Sequence, residues 1–235
     1  MPQFKEAPTG MRNFARRVMI YILGMFILAV GVSVSVKSRL GVSPVSSIPY
    51  VVSLIFHVDQ GIATTVIFCL YVALQFLLLR KQFPLISLFQ ILCATVFGYF
   101  VTLCNSLLRH LKPEYYLVRL VLMCVSIVLI ACGIMLYLTA NLIPQPAEGL
   151  ILAIIQKTGW GLSSTKIGFD CTVVGIAALL SFVMTGTLLG LREGTLIAML
   201  GVGKVLGILN GLFGERIHRF CMGRPRSKEA CKGGL

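Results

Sequence analysis

The sequence predicts an all-α polytopic membrane protein of two tandem repeats. Each repeat holds three long transmembrane helices plus one short proline-broken helix, and the N and C termini are cytoplasmic. Three observations carry this prediction. Of 235 residues, 57% are hydrophobic and only 12% charged, more apolar surface than a soluble domain of this length can bury. The net charge of +13 sits largely at the ends: Arg12, Arg16 and Arg17 precede the first apolar run, and Arg216, Arg219, Arg224, Arg226, Lys228 and Lys232 follow the last. This is the positive-inside pattern, which assigns the basic tails to anionic lipid headgroups of the bilayer and not to nucleic acid. Finally, each half carries a short apolar stretch marked by prolines, Gly41 to His57 and Ile143 to Gly159. About 15 helical residues reach roughly 22 Å, short of a ~30 Å hydrocarbon core. Paired short segments of this kind point to a transporter binding site.

Residues 1–17 form a basic cytoplasmic tail. The first membrane repeat, 18–108, opens with a span over 18–36 that ends at the interfacial Lys37-Ser38-Arg39. That run is too long for a signal-peptide core and lacks an A-x-A exit, so it remains as a helix. Ser43 as N-cap and Pro44 at the first helical position start the short helix 44–58. A turn at Asp59-Gln60-Gly61 leads into a span over 62–79, stopped by Arg80-Lys81, and Pro84 opens the next, 84–108. A linker, 109–116, divides the chain. The second membrane repeat, 117–214, repeats the plan: a span over 117–138, a short helix over 146–158, a turn at Gly159-Trp160-Gly161, and spans over 162–185 and 191–214. Residues 215–235 are a second basic cytoplasmic tail. The eight cysteines are scattered singly and read as small packing residues, with Cys221 and Cys231 in a reducing compartment.

The halves overlay. At an offset of 102, Gly31 meets Gly133, Leu40 meets Leu142 and Pro44 meets Pro146; after a three-residue adjustment, Gly98 meets Gly203 and Asn105 meets Asn210. An internal duplication follows. If the short helices cross the membrane there are eight crossings and parallel halves; if they do not, six crossings and inverted halves. The basic residues leave both open.

Polar residues inside apolar segments are the functional candidates. Ser46, Tyr50, Ser53 and His57 recur along one face of the first short helix, as interhelical hydrogen-bonding groups or as a cavity wall. Its N-terminus, with Ser43, Ser46 and Ser47, favours an anionic group, and Lys37 and Arg39 just upstream would steer one toward it. Snorkelling interfacial anchors are the simpler account of those two cations. In the second half, Glu148 overlays Ser46. Lys166 and Asp170 lie i, i+4 on one helix, and Lys204 falls near the middle of the last span. A charge at that depth costs roughly 2.5–3.5 kcal/mol, so it needs a partner or water. A Lys166–Asp170 or Asp170–Lys204 ion pair that only orders the bundle fits equally well. Gly201, Gly203 and Gly207 suit close helix approach. The Gly-Val-Gly-Lys string lacks the remainder of a P-loop, and His57, His110 and His218 never cluster. No catalytic residue, metal site or cofactor is expected, and the chain is not expected to be an enzyme.

Leu40-Gly41-Val42-Ser43-Pro44, and Arg192-Glu193-Gly194-Thr195-Leu196 with Gly203, resemble the bacterial YczE/YitT-type integral membrane proteins over roughly residues 18–214. The chain departs from that pattern at Val45-Ser46, where Trp-Asp is often found, and at Lys204, where proline is frequent. The resemblance implies a multi-pass protein of the bacterial inner (cytoplasmic) membrane and names no substrate.

The leading expectation is a small secondary transporter of an anionic or zwitterionic solute. Its site would lie near the midplane between the two short helices, with Ser43, Ser46, Ser47 and Tyr50 on one side and Glu148 on the other. Asp170 and Lys204 would act as counter-ions or a proton-coupling pair. A non-transporting scaffold or accessory subunit, or the solute-binding subunit of an ATPase-driven importer, would use the same residues differently. The partners expected are the lipid bilayer and a small-molecule or ion substrate, and a homo-oligomer is compatible with the sequence.

Overall fold

The computed structural model describes residues 11–111 and 113–222. Among these are eight α-helices and no strand: α1 (Met11–Ser38), α2 (Pro44–Phe56), α3 (Gln60–Leu79), α4 (Phe89–Leu107), α5 (Tyr116–Ala140), α6 (Pro146–Thr158), α7 (Leu162–Thr185) and α8 (Glu193–Met222). Six segments, one in each helix other than α2 and α6, are long and apolar enough to cross a membrane.

Several boundaries differ from the sequence reading for local reasons. α1 starts at Met11, so residues 11–17 of the expected tail are helical. No Pro or Gly interrupts them after Gly10, and arginine is a good helix former. Arg17 is in fact buried: its Nε donates to the Ala140 carbonyl at 2.8 Å and its terminal nitrogen to the Asn141 carbonyl, closing the end of α5. α8 likewise runs past 214 to Met222. The extreme tails, 1–10 and 223–235 with Arg224, Arg226, Lys228, Cys231 and Lys232, lie outside the described residues, as does Lys112 of the linker. α2 stops at Phe56 because His57 turns left-handed (φ 53°). α3 begins two residues early because the Asp59 carboxylate accepts from the backbone N–H of Gly61 and Ile62 and caps it.

The longest contact in the molecule is between α1 and α5. Arg17 meets Ala140, the Tyr21 and Tyr137 rings stand edge-to-face with centroids 6.3 Å apart, Gly31 meets Ile130, and Ser35 meets Met123. As one number rises the other falls, so these helices run antiparallel. Glycine permits the approach: a Cβ on Gly31 would lie 2.8 Å from the Ile130 nitrogen, and one on Gly133 2.6 Å from the Leu28 nitrogen. α3 and α4 close on each other in the same way, through Gly61 and Gly98. α2 packs on α7 and α3, α6 on α3 and α7, and α8 chiefly on α5. α7 and α8, by contrast, barely touch. A Cβ on Gly203 or Gly207 would meet nothing within 4 Å, whereas Gly201 does pack against Ile127.

Candidate functional site

A polar cluster is buried in the half of the bundle where α1 begins and α5 ends. Its centre is the start of α6. Pro144 and Pro146 flank Gln145 and hold it extended (φ −64°, ψ 156°), and Pro146 occupies the first helical position. Glu148 therefore falls in the first turn, where the helix dipole favours a carboxylate. Its Oε2 is buried and has no hydrogen-bond partner. The Tyr137 side chain and Glu148 interact, yet the Tyr137 hydroxyl makes no hydrogen bond of normal geometry.

Four further elements complete the cluster. α7 brings Asp170, whose Oδ2 is 3.4 Å from the Lys166 ammonium, and both charges act on Glu148. The Asp170 side chain is 11% exposed and that of Lys166 49%, so this ion pair reaches from the interior to the edge of the bundle. α1 supplies Tyr21, whose hydroxyl donates to the Ile143 carbonyl at 2.9 Å and so steadies the approach to α6. α3 and α4 supply two buried amides. Gln75 Nε2 donates to Gln90 Oε1 and to the Pro146 carbonyl, each at 3.0 Å. A Cβ on Gly149 would come within 2.7 Å of both, so glycine is needed for α6 to seat on this pair.

The cluster is only half satisfied. Glu148 Oε2, Asp170 Oδ1, Gln145 Nε2 and the Tyr71 and Tyr137 hydroxyls are all buried and make no hydrogen bond of normal geometry. Each such group costs roughly 1–3 kcal/mol. Two carboxyl groups and one ammonium meet here, with donors and acceptors still to be used.

Comparison with known proteins agrees with the membrane architecture. Residues 15–211 match a family of unknown function (DUF6198). The chain belongs to that family. A protein of Bacillus subtilis (strain 168) described as the uncharacterized membrane protein YczE is 28% identical over 180 residues, covering 72% of this chain and 81% of its own. No solved structure matches. With six membrane-length helices and such a relative, this DUF6198 protein is an integral membrane protein.

Within this DUF6198 member the expected site residues divide. Glu148 and Asp170 are brought together, with Lys166. Ser43, Ser46 and Ser47 are not brought to them. They lie toward the other end of α1, beyond Ser38, while Glu148 lies by Tyr21 and Tyr137; those two points on α1 are about 25 Å apart. The expected single site between the short helices is therefore corrected. The serines are also satisfied locally: Ser43 Oγ bonds Ser46 Oγ (3.1 Å) instead of capping the backbone, and Ser47 Oγ donates to the Pro44 carbonyl. Ser53 donates to the Tyr50 carbonyl, and His57 is exposed. Lys204 is exposed on α8 and forms no ion pair among the described residues. Its expected pairing with Asp170 fails because α7 and α8 barely touch, and Lys166 takes that role. Lys37 is half-buried in the last turn of α1, while Tyr50 and Arg39 line a separate cavity.

Tyr21, Tyr71, Gln75, Gln90, Tyr137 and Gln145 join the cluster without having been expected there from the sequence. Gln75 and Gln90 did carry a signal, since an amide inside an apolar span must find a partner. The tyrosines carried none, because interfacial aromatics look the same in sequence.

Proposed function

We propose that this protein is a small secondary transporter of a zwitterionic solute, and not an enzyme. Its site is the start of α6. Glu148 and Asp170 take the solute's ammonium group, Lys166 its carboxylate, and Tyr137 and Gln145 its remaining polar atoms. The observation that carries this reading is a set of buried polar atoms without a hydrogen bond of normal geometry: Glu148 Oε2 and Gln145 Nε2 at the start of α6, the Tyr137 hydroxyl and Asp170 Oδ1, whose side chains act on Glu148, and the Tyr71 hydroxyl, which acts on Asp170. A core that served only packing would be more stable with apolar residues there, whereas a polar solute would supply partners for such groups.

We further infer that the halves are inverted repeats with six crossings, inserted in the bacterial inner membrane with both termini cytoplasmic. Reciprocal contacts support the inversion. The pair Tyr21–Tyr137 corresponds, under the 102-residue offset, to Met123–Ser35, and Gly31–Ile130 corresponds to Gly133–Leu28; all four are in contact. The antiparallel course of α1 and α5 agrees with it, and basic Arg16 and Arg17 at the start of α1 supply the orientation.

The test is a thermal-unfolding screen of the protein in nanodiscs against amino acids and small amines. A ligand at 100 times its Kd adds about 2.7 kcal/mol. The expected result is a hit that Glu148→Gln abolishes while remaining folded, together with loss of uptake of that solute into proteoliposomes. Uptake that survives both Glu148→Gln and Asp170→Asn would refute the site. No hit, combined with a gain in stability in both variants, would favour the scaffold.

A further inference from the structure

We propose a second binding site, for a phosphate group, at the end of α1 remote from Glu148. It does not rest on the transport reading above. A cavity of about 170 Å³ lies between the end of α1, α2 and the α7–α8 loop, and it is lined by Val36, Arg39, Gly41, Tyr50, Gly190 and Arg192. That volume admits a tetrahedral oxyanion with some of its water.

The charges are one-sided. Arg39 and Arg192 are both exposed side chains on the lining, and no carboxylate lines the cavity. Among the described residues neither guanidinium is in an ion pair; Glu193, next in sequence to Arg192, is exposed and does not pair with it. Arg39 acts electrostatically on the Tyr50 phenol across the cavity. Two unpaired guanidinium forks and a hydroxyl suit an oxyanion such as phosphate, which takes paired N–H donors.

The walls are also preorganised. Arg39 adopts a left-handed conformation (φ 57°), which costs energy for a residue with a long side chain. At the overlaid position of the second half stands Asn141 (φ 47°), a residue at ease there. Arginine at this turn is thus unfavourable for the backbone and places a cation on the cavity. The turn is clamped from both sides: the Leu40 carbonyl accepts from the Gly194 N–H at 2.9 Å, and a Cβ on Gly41 would lie 2.5 Å from Thr195 Oγ1. Opposite, the left-handed Gly190 lies on the Tyr50 ring, where a Cβ would come within 2.5 Å. The cationic side chains therefore project from fixed backbone, so that only the side chains themselves have to be ordered on binding.

A free phosphate and a phospholipid headgroup present the same chemistry, and two arms separate them. In phosphatidylcholine nanodiscs, inorganic phosphate is titrated and the unfolding temperature followed. In parallel, the protein is extracted from bilayers containing phosphatidylglycerol, and the lipid retained per chain is counted by native mass spectrometry. Arg39→Asn removes the cation and relieves the turn, Arg192→Gln alters an exposed side chain, and Lys81→Gln is the charge control. The expected result is phosphate binding or phosphatidylglycerol retention that weakens about tenfold or more in each arginine variant and is unchanged in Lys81→Gln. A phosphate response identifies a free-anion site, and retained lipid alone identifies a headgroup site. Absence of both, or binding that survives Arg39→Asn and Arg192→Gln, overturns the proposal. Should Arg39→Asn fail to fold, Arg192→Gln decides alone.

Discussion

Arg17 illustrates how much a single residue's meaning depends on what it touches. By position it is a topogenic charge at the start of a span, yet its guanidinium is buried against the last carbonyls of α5. Removing it leaves those acceptors dry, so Arg17→Ala is expected to cost about 1.5–3 kcal/mol in reversible unfolding, with Arg17→Lys restoring only part. The Gln75–Gln90 pair behaves as a unit for the same reason. Either single change to leucine strands the other amide in the core, at about 1–3 kcal/mol. The double variant strands less, so a double-mutant cycle should come out clearly less than additive. At this scale Glu148 and Asp170 were legible in the sequence because an ionisable group inside an apolar helix is expensive wherever it points. Their partners were not legible. Nothing local in Tyr137 or Tyr71 tells which helix will stand opposite.

Helices that overlay in sequence separate once their neighbours are known. Gly98 and Gly203 occupy matching positions in α4 and α8. At Gly98 an added Cβ would collide with Thr65 Oγ1 and lie 2.5 Å from the Gly61 carbonyl oxygen, whereas at Gly203 it would meet nothing within 4 Å. Gly98→Ala is therefore expected to destabilise by about 1–3 kcal/mol, and Gly203→Ala to stabilise by up to about 1 kcal/mol through helix propensity. Unfolding of the two variants side by side checks this. Lys204, one residue on, is a cation on an exposed face in the middle of a span, with no ion-pair partner among the described residues. Lys204→Leu should improve membrane insertion of α8 by up to about 3 kcal/mol in a glycosylation-reporter assay. Element boundaries were the most legible part of the fold: α6 and α7 fall where Pro146, Gly159 and Gly186 put them. The ends of α1 and α8 were not, because a basic helical turn and a basic tail have the same composition.

For the whole molecule, the antiparallel pairing of α1 with α5 is the organising contact. In an inverted six-crossing arrangement, the ends of the two short helices emerge on opposite faces of the membrane. Cysteines placed at His57 and Gly159 in a cysteine-free background should then react with an impermeant maleimide from opposite sides. Labelling of both from one side would require eight crossings and parallel halves. Composition, hydropathy and helix breakers act along the chain, and they suffice by themselves for a membrane protein with six long apolar helices, two short ones and charges in costly places. Which charges meet, and at which end, is decided by contacts far apart in sequence. Glycine at 24, 31, 61, 98 and 133 lets particular helices close to backbone distance, and that closure carries Glu148 toward Asp170 while leaving Lys204 outside and Arg39 on its own cavity. A glycine reads alike whether or not a helix rests against it, so only the tertiary structure tells the two apart.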